Sequence, residues 1–172
     1  MSSPYDREAA VNDLSRVSVR TAIEGDCPAL AACHLSCWAE TYGDRLSEDL
    51  QAATAHVQLT DRWRLNLATL GDQVVVGALG PELVAFARGA PSRDPDPVQP
   101  LELCSLYVRR AWQGTGLADE LLRTVLGDEP ASLWVWSENR RALAFYRRHS
   151  FLPDGVEKRH SSGMMEVRLQ RA

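Results

Sequence analysis

Gln113-Gly114-Thr115-Gly116-Leu117-Ala118 stands between a strand-like run, Leu101 to Val108, and a helix-like run, Thr115 to Leu126. A helix start leaves several backbone N–H groups without partners and carries the positive end of the helix dipole. Gly114 and Gly116 remove the side chains that would hold an anion away from those groups. The junction therefore predicts a seat for a phosphate-bearing ligand.

The spacing excludes two familiar phosphate loops. A nucleoside-triphosphate loop ends in Gly-Lys-Ser/Thr, whereas Gly116 is followed by Leu117 and Ala118. A dinucleotide fingerprint needs a third glycine and a downstream acid in a βαβ unit, and neither condition is met. Gln113, Gly116 and Ala118 instead fill Gln/Arg-x-x-Gly-x-Gly/Ala. Farther along, an apolar strand candidate, Ala131 to Trp136, precedes Asn139, Ala142, Tyr146 and Phe151, which fit Asn-x-x-Ala-x-x-x-Tyr-x-x-x-Gly-Phe with serine at position 150. In this order the two blocks resemble the coenzyme-binding half of the GCN5-related N-acetyltransferases (GNAT). The resemblance is strong from Leu101 to Phe151. It is weaker in Trp38-Ala-Glu-Thr-Tyr42, in Pro153-Asp154-Gly155 and in Glu166-Val167-Arg168.

The rest of the chain reads as one domain, residues 17–172, behind a polar arm of residues 1–16. With 172 residues and 45% apolar content, about 70% of the unfolded surface can be buried in one core. Residues Met1 to Arg16 lack the apolar stretch of about 7 to 15 residues that a secretory signal requires, and no run approaches a membrane span. A formal charge of −4 argues against nucleic acid, which selects a basic face. These features predict a cytoplasmic protein. Cys27, Cys33, Cys37 and Cys104 have no paired C-x-x-C spacing and read as reduced thiols; no metal is expected. Arg140, Arg141, Arg147 and Arg148 form the dense basic cluster, read as a solvated face, with one or two of its side chains placed to reach a coenzyme phosphate as the alternative.

Punctuation sets the element order. Val17 to Ile23 reads as a strand, and Asp26 as the N-cap of a helix from Pro28 to about Tyr42. Ser47, Glu48 and Asp49 open a second helix lasting to Ala68. Gln73 to Leu79 and Leu83 to Gly89 make a hairpin through Gly80-Pro81-Glu82, and the prolines of Ala90 to Pro100 mark an exposed loop. After strand Leu101 to Val108, helix Thr115 to Leu126, C-cap Gly127 and strand Ser132 to Trp136 comes a helix from Asn139 to His149. Val156 to Arg159 and Met164 to Leu169 complete a hairpin. The fold class is α/β (α+β).

The resemblance implies a single GNAT domain. Its mixed, mostly antiparallel sheet of seven strands is flanked by four helices and splayed between the fourth and fifth strands. It implies transfer of the acetyl group of acetyl-CoA, as acyl-donor co-substrate, to a primary amine by direct attack in a ternary complex. The acceptor is a small-molecule amine or a protein N-terminus, and a homodimer is compatible with the family. The alternative is a non-catalytic acetyl-CoA sensor. The coenzyme would lie on Leu106, Tyr107 and Val108, whose backbone bonds the pantetheine arm, on Gln113, Gly114, Thr115, Gly116, Leu117 and Ala118, and on Asn139, Ala142 and Tyr146.

Amine attack on a thioester needs a base for the amine proton and a donor for the leaving thiolate. Glu102 stands where histone-modifying relatives carry the base, although many relatives use a water chain. Tyr146 occupies the tyrosine that protonates sulfur, or else a core position shared with Ala142 and Phe145. Asn139 binds coenzyme, caps its helix, or does both. Trp38 and Tyr42, four residues apart on one helix face, line the acceptor side or pack the core. Asp94 and Asp96 steer a cationic amine or are merely solvated. Thr115 replaces a usual basic residue, a loss that Arg110, in a usual proline position, is placed to offset. Ser150 replaces a glycine expected to be left-handed, so the helix is expected to end differently.

Overall fold

The computed structural model describes residues 13–43, 53–160 and 162–172. These form β1 (Ser18–Thr21), α1 (Cys27–Tyr42), α2 (Ala53–Ala68), β2 (Gln73–Leu79), β3 (Glu82–Pro91), β4 (Leu101–Val108), α3 (Leu117–Leu126), β5 (Ala131–Trp136), α4 (Arg140–Arg148), β6 (Leu152–Arg159) and β7 (Met165–Arg171). One seven-stranded sheet runs β1-β2-β3-β4-β5-β7-β6. Its neighbours are antiparallel except β4 and β5.

Period-two alternation divides the core between the two faces. Val74, Val76 and Phe86 point to α1 and α2, where they meet Leu30, Cys37 and Trp63. Val75, Ala85 and Ala87 point to α3, whose Leu117, Leu121, Leu122 and Val125 are buried against them. Truncating one such leucine to alanine costs about 2–5 kcal/mol.

The β4–β5 pair decides where a site can form. Its parallel pairing covers only Leu101 to Leu103 against Ala131 to Leu133, after which the strands separate. The divergence begins at a bulge: Arg88 faces Ser105 and Gly89 faces Leu103, leaving Cys104 unpaired in β4. A bulge bends and twists its strand, which turns the upper half of β4 away from β5. The splay implied by the resemblance is thus present at the fourth and fifth strands.

Several local expectations shift. Pro91 ends β3 opposite Leu101, so Ala90 and Pro91 belong to the strand and the loop begins at Ser92. Proline is tolerated there because the terminal ladder position demands no donor. Asp26 precedes α1 without capping it: its carboxylate accepts two bonds from Arg20, at 2.7 and 2.9 Å, and one from the Ile23 N–H. Leu14 to Arg16 form a 3₁₀ turn, and Leu14 packs on the core. β6 begins at Leu152, earlier than expected, with a register break between Pro153 and Glu157. Ser47, Glu48 and Asp49 lie outside the described residues.

The expected change at Ser150 takes another form. Ser150 adopts φ 64° in the position where glycine is usual. α4 closes with Phe151 N–H donating to Tyr146 O at 3.0 Å and Ser150 N–H to Arg147 O at 3.1 Å. The left-handed turn is kept, and serine bears its strain.

Candidate active site

The gap between β4 and β5 opens into a cavity of about 760 Å³ that runs from the glycine loop to the ends of α1 and β6. The wall at the glycine loop is made locally. Gly114 and Gly116 have φ 84° and 94°, conformations that L side chains rarely adopt, and a Cβ on Gly114 would meet only open space. The loop therefore needs glycine for its backbone path, not for lack of space around it. Gly116 precedes α3, and the first bond into the helix is Glu120 N–H to Gly116 O at 3.1 Å. The N–H groups of Leu117, Ala118 and Asp119 thus precede the helical ladder. Leu117 is fully buried and Thr115 Oγ1 donates to Trp112 O at 2.7 Å, so at these positions only the backbone serves the loop.

Gln113 fixes that loop to the splayed strand, donating from Nε2 to Val108 O at 2.9 Å. Its Oε1 accepts from Arg141, which lines the cavity with Arg148. The cations facing the glycine loop come from α4. Arg110 does not supply one: its N–H donates to Glu40 Oε2 at 2.6 Å and its guanidinium to Glu40 O at 2.7 Å, drawing it to α1. Burial would raise the Glu40 carboxyl, but the bonds from Arg110 N–H and Arg109 hold it below the usual carboxylate range. Asn139 Oδ1 accepts from Ala142 N–H at 3.1 Å, capping α4, and the residue also lines the cavity.

The middle of the cavity is walled by Leu106, Tyr107 and Val108 on one side and by Trp134 and Trp136 on the other. Tyr146 is buried in the wall beside Phe145 and Phe151. Burial, helped by nearby Tyr42, pushes its hydroxyl well above the ordinary tyrosine range. Core packing and cavity lining therefore coincide at this residue.

Tyr42, Glu102, Lys158 and Glu166 also line the cavity: Glu102 pairs with Ser132 at the closed base of the β4–β5 gap, whereas Glu166, with Lys158 opposite it, pairs with Trp136. Glu102 Oε2 accepts from the Arg93 N–H at 3.4 Å. The Tyr42 and Tyr107 hydroxyls lie 3.2 Å apart. Trp38 is not among the residues lining the cavity: it packs in the core on His34, 4.1 Å between ring centroids. Of the two α1 aromatics, Tyr42 is at the surface of the site and Trp38 supports it from behind.

Asp94 is not free to steer a ligand. Its carboxylate accepts from Trp134 Nε1 at 3.0 Å and sits 3.5 Å from the buried Arg168, which also bonds Asp154 at 2.6 Å and Asp96 O at 2.8 Å. The clamp pins the Ser92–Pro100 loop over β5 and β7, while the Asp96 side chain remains exposed. The four arginines of α4 gave a signal for Arg141 and Arg148; Lys158, Glu166 and the two tryptophans carried none, because they face the cavity only through sheet pairing.

Cys33 and Cys37 are buried one helical turn apart, and the neighbouring Cys33 thiol followed by burial pushes the Cys37 thiol up. Among the described residues no group of three or more His, Cys, Asp or Glu is placed to hold a metal, and no helix is long and apolar enough to cross a membrane.

Comparison with known proteins agrees with this architecture. No curated protein is similar to the chain in sequence. A histone acetyltransferase HPA2 and related acetyltransferase from Corynebacterium glutamicum superposes with a TM-score of 0.69 at 20% identity, covering 90% of this chain and 94% of that one. PaiA N-acetyltransferase from Thermoplasma acidophilum, solved with coenzyme A, gives 0.65 at 14% identity over 90% and 99%. YncA, a putative acetyltransferase from Salmonella typhimurium with its cofactor acetyl-CoA, gives 0.61 at 19% over 90% and 92%. At these identities the structures establish a shared fold. The family model for the acetyltransferase (GNAT) family matches residues 31–151, most of the chain, and the protein belongs to that family.

Proposed function

We propose that this protein transfers the acetyl group of acetyl-CoA to a primary amine by direct attack in a ternary complex. The observation that carries this reading is one continuous cavity, opened by the β4–β5 splay and lined both by the glycine loop before α3 and by Tyr42, Glu102 and Glu166. The residues present fit the coenzyme. The unladdered N–H groups of Leu117, Ala118 and Asp119, approached past two side-chain-free glycines, suit a pyrophosphate, and Arg141 and Arg148 add charge. Gln113 and Thr115 hold the loop in shape. Asn139 and Ala142 line the path toward the strands.

Acetyl-CoA, when bound, supplies an acyl group already activated as a thioester. Beyond Leu103, β4 has no partner on its β5 side. Alternate backbone groups of Leu106, Tyr107 and Val108 are thus available to the pantetheine arm and to the oxygen that gains charge during attack; such a donor contributes about 3 kcal/mol. Because burial keeps Tyr146 protonated, its hydroxyl is a standing donor to the leaving sulfur. Glu102, on the acceptor side, takes the amine proton directly or through water. Tyr42, whose hydroxyl lies 3.2 Å from that of Tyr107, shapes the acceptor entrance, and Trp38 packs behind it on His34.

The test is calorimetric titration with acetyl-CoA and coenzyme A, followed by thiol release across polyamines, aminoglycosides, amino acids and peptide N-termini. Binding with thiol release for one class supports transfer. Binding without turnover points to a sensor, and an absence of binding removes the proposal.

A further inference from the structure

Lys158 is the one lysine among the 19 Lys and Arg residues of the chain, and it lines the cavity. β6 presents it there because β6 pairs with β7 in the register that sets Lys158 opposite Glu166, and Glu166 in turn faces Trp136 of β5. The Lys158 ammonium rests 3.7 Å from the centroid of the Trp134 ring and 3.8 Å from Glu166 Oε2. An aromatic face and a carboxylate are two groups that receive a cationic amine. The arginines lining the same cavity, Arg62, Arg141 and Arg148, are guanidinium groups that stay charged and do not act as amine nucleophiles. A primary alkylamine on a flexible four-carbon stem thus shares one uninterrupted cavity with the proposed thioester end.

We propose that Lys158 is an acceptor for the protein's own acetyl group, so that the enzyme acetylates itself at this residue. The inference rests on the acetyl-CoA reading above. The Lys158 ammonium gives up one proton to become the neutral amine, and Glu166, its nearest carboxylate, is placed to accept it. Nζ then attacks the thioester carbonyl; a C–N bond forms, the C–S bond breaks, and its electron pair leaves on sulfur. The second nitrogen proton balances the thiolate as a thiol, so ammonium and thioester give amide, thiol and one proton. The product has lost the charge that held it. Trp134 and Glu166 are released, and the acceptor end becomes one unit more negative, which favours a cationic amine over Lys158 itself.

The experiment is intact-protein and peptide mass spectrometry of the full chain incubated with acetyl-CoA alone. The expected result is up to one acetyl group per protein, on the Lys158 peptide, at a first-order rate independent of protein concentration. Lys158→Arg, which keeps the charge but offers no acylable amine, should take up none on that peptide while still binding coenzyme by calorimetry. Gly116→Val, in which coenzyme binding is weakened, should slow labelling at least tenfold. Any of three results overturns the proposal: no label at Lys158 in a protein that binds acetyl-CoA, label confined to the α-amine, or Lys158 labelling at the wild-type rate in Gly116→Val, which would mean solution chemistry. Thiol release with external amines in an unlabelled protein would sink self-acetylation and leave the transfer reading intact. Failure to bind acetyl-CoA at all removes both.

Discussion

Protonation of His34 tests the packing that backs the cavity. Its ring centroid lies 4.1 Å from Trp38, 4.9 Å from Phe86, 5.5 Å from Tyr107 and 5.7 Å from Trp63, and Nδ1 is buried with no hydrogen-bond partner among the described residues. Burial, with the Arg62 charge in second place, lowers the pKa from 6.5 to about 3. Between those values the unfolded chain binds a proton that the folded chain does not, so stability must fall as pH drops through this window. A difference of one bound proton is worth about 1.4 kcal/mol per pH unit. Integrated from about pH 7.5 to about pH 5, the loss is about 2 kcal/mol. His34→Phe keeps an aromatic ring in the cluster and removes both the titration and the unpaired nitrogen. Urea unfolding of both proteins across the range should show the variant gaining about 2 kcal/mol on the wild type toward the acid end. Equal losses in the two proteins would refute the buried neutral imidazole, and with it the account of how Tyr107 is supported.

Gly116→Val places a β-branched residue at φ 94° in the glycine loop and should weaken acetyl-CoA binding at least tenfold, about 1.4 kcal/mol; unchanged affinity in a folded variant would mean the loop does not carry the coenzyme. Tyr146→Phe should lower kcat by about 10² or more at nearly constant coenzyme affinity. Glu102→Gln should lower kcat/KM most at moderate pH and recover as the amine deprotonates. A fully active Tyr146→Phe reduces that residue to packing, and a wild-type pH profile for Glu102→Gln assigns the base to a water chain. Asp94→Asn should cost about 2 kcal/mol, because the buried Arg168 loses a charged partner while Asp154 remains. It should leave the salt dependence of acceptor KM unaltered, and a flattened salt profile would return Asp94 to substrate steering. Ser150→Gly should relieve the left-handed strain at φ 64° and raise Tm by about 2–4 °C; a lower Tm would show that the serine side chain holds the turn by other means.

Sequence alone determined what depends on a few adjacent residues. The glycine loop was legible because φ above zero selects glycine wherever the chain must turn before a helix. Asn139 was legible as a cap because its partner, Ala142 N–H, is only three residues away. Strand and helix order followed from alternation and punctuation, and two short motifs in order pointed to the family. Tertiary structure decided everything set by pairing between distant segments. The bulge at Cys104 exists only relative to β3, and it opens the cavity. Asp94 meets Trp134 across 40 residues of sequence, which turned an exposed-looking acid into a clamp. Arg110 answers to Glu40, 70 residues away, and is drawn off toward α1, whereas Arg141 reaches Gln113 in the glycine loop. Trp38 and Tyr42 share a helix face, yet only Tyr42 lines the cavity, because Trp38 packs into the core against His34. Lys158 carried no local signal at all; β-sheet register alone brings its amine to the cavity, since a sheet assigns each side chain to a face by its partner strand and not by its own neighbours.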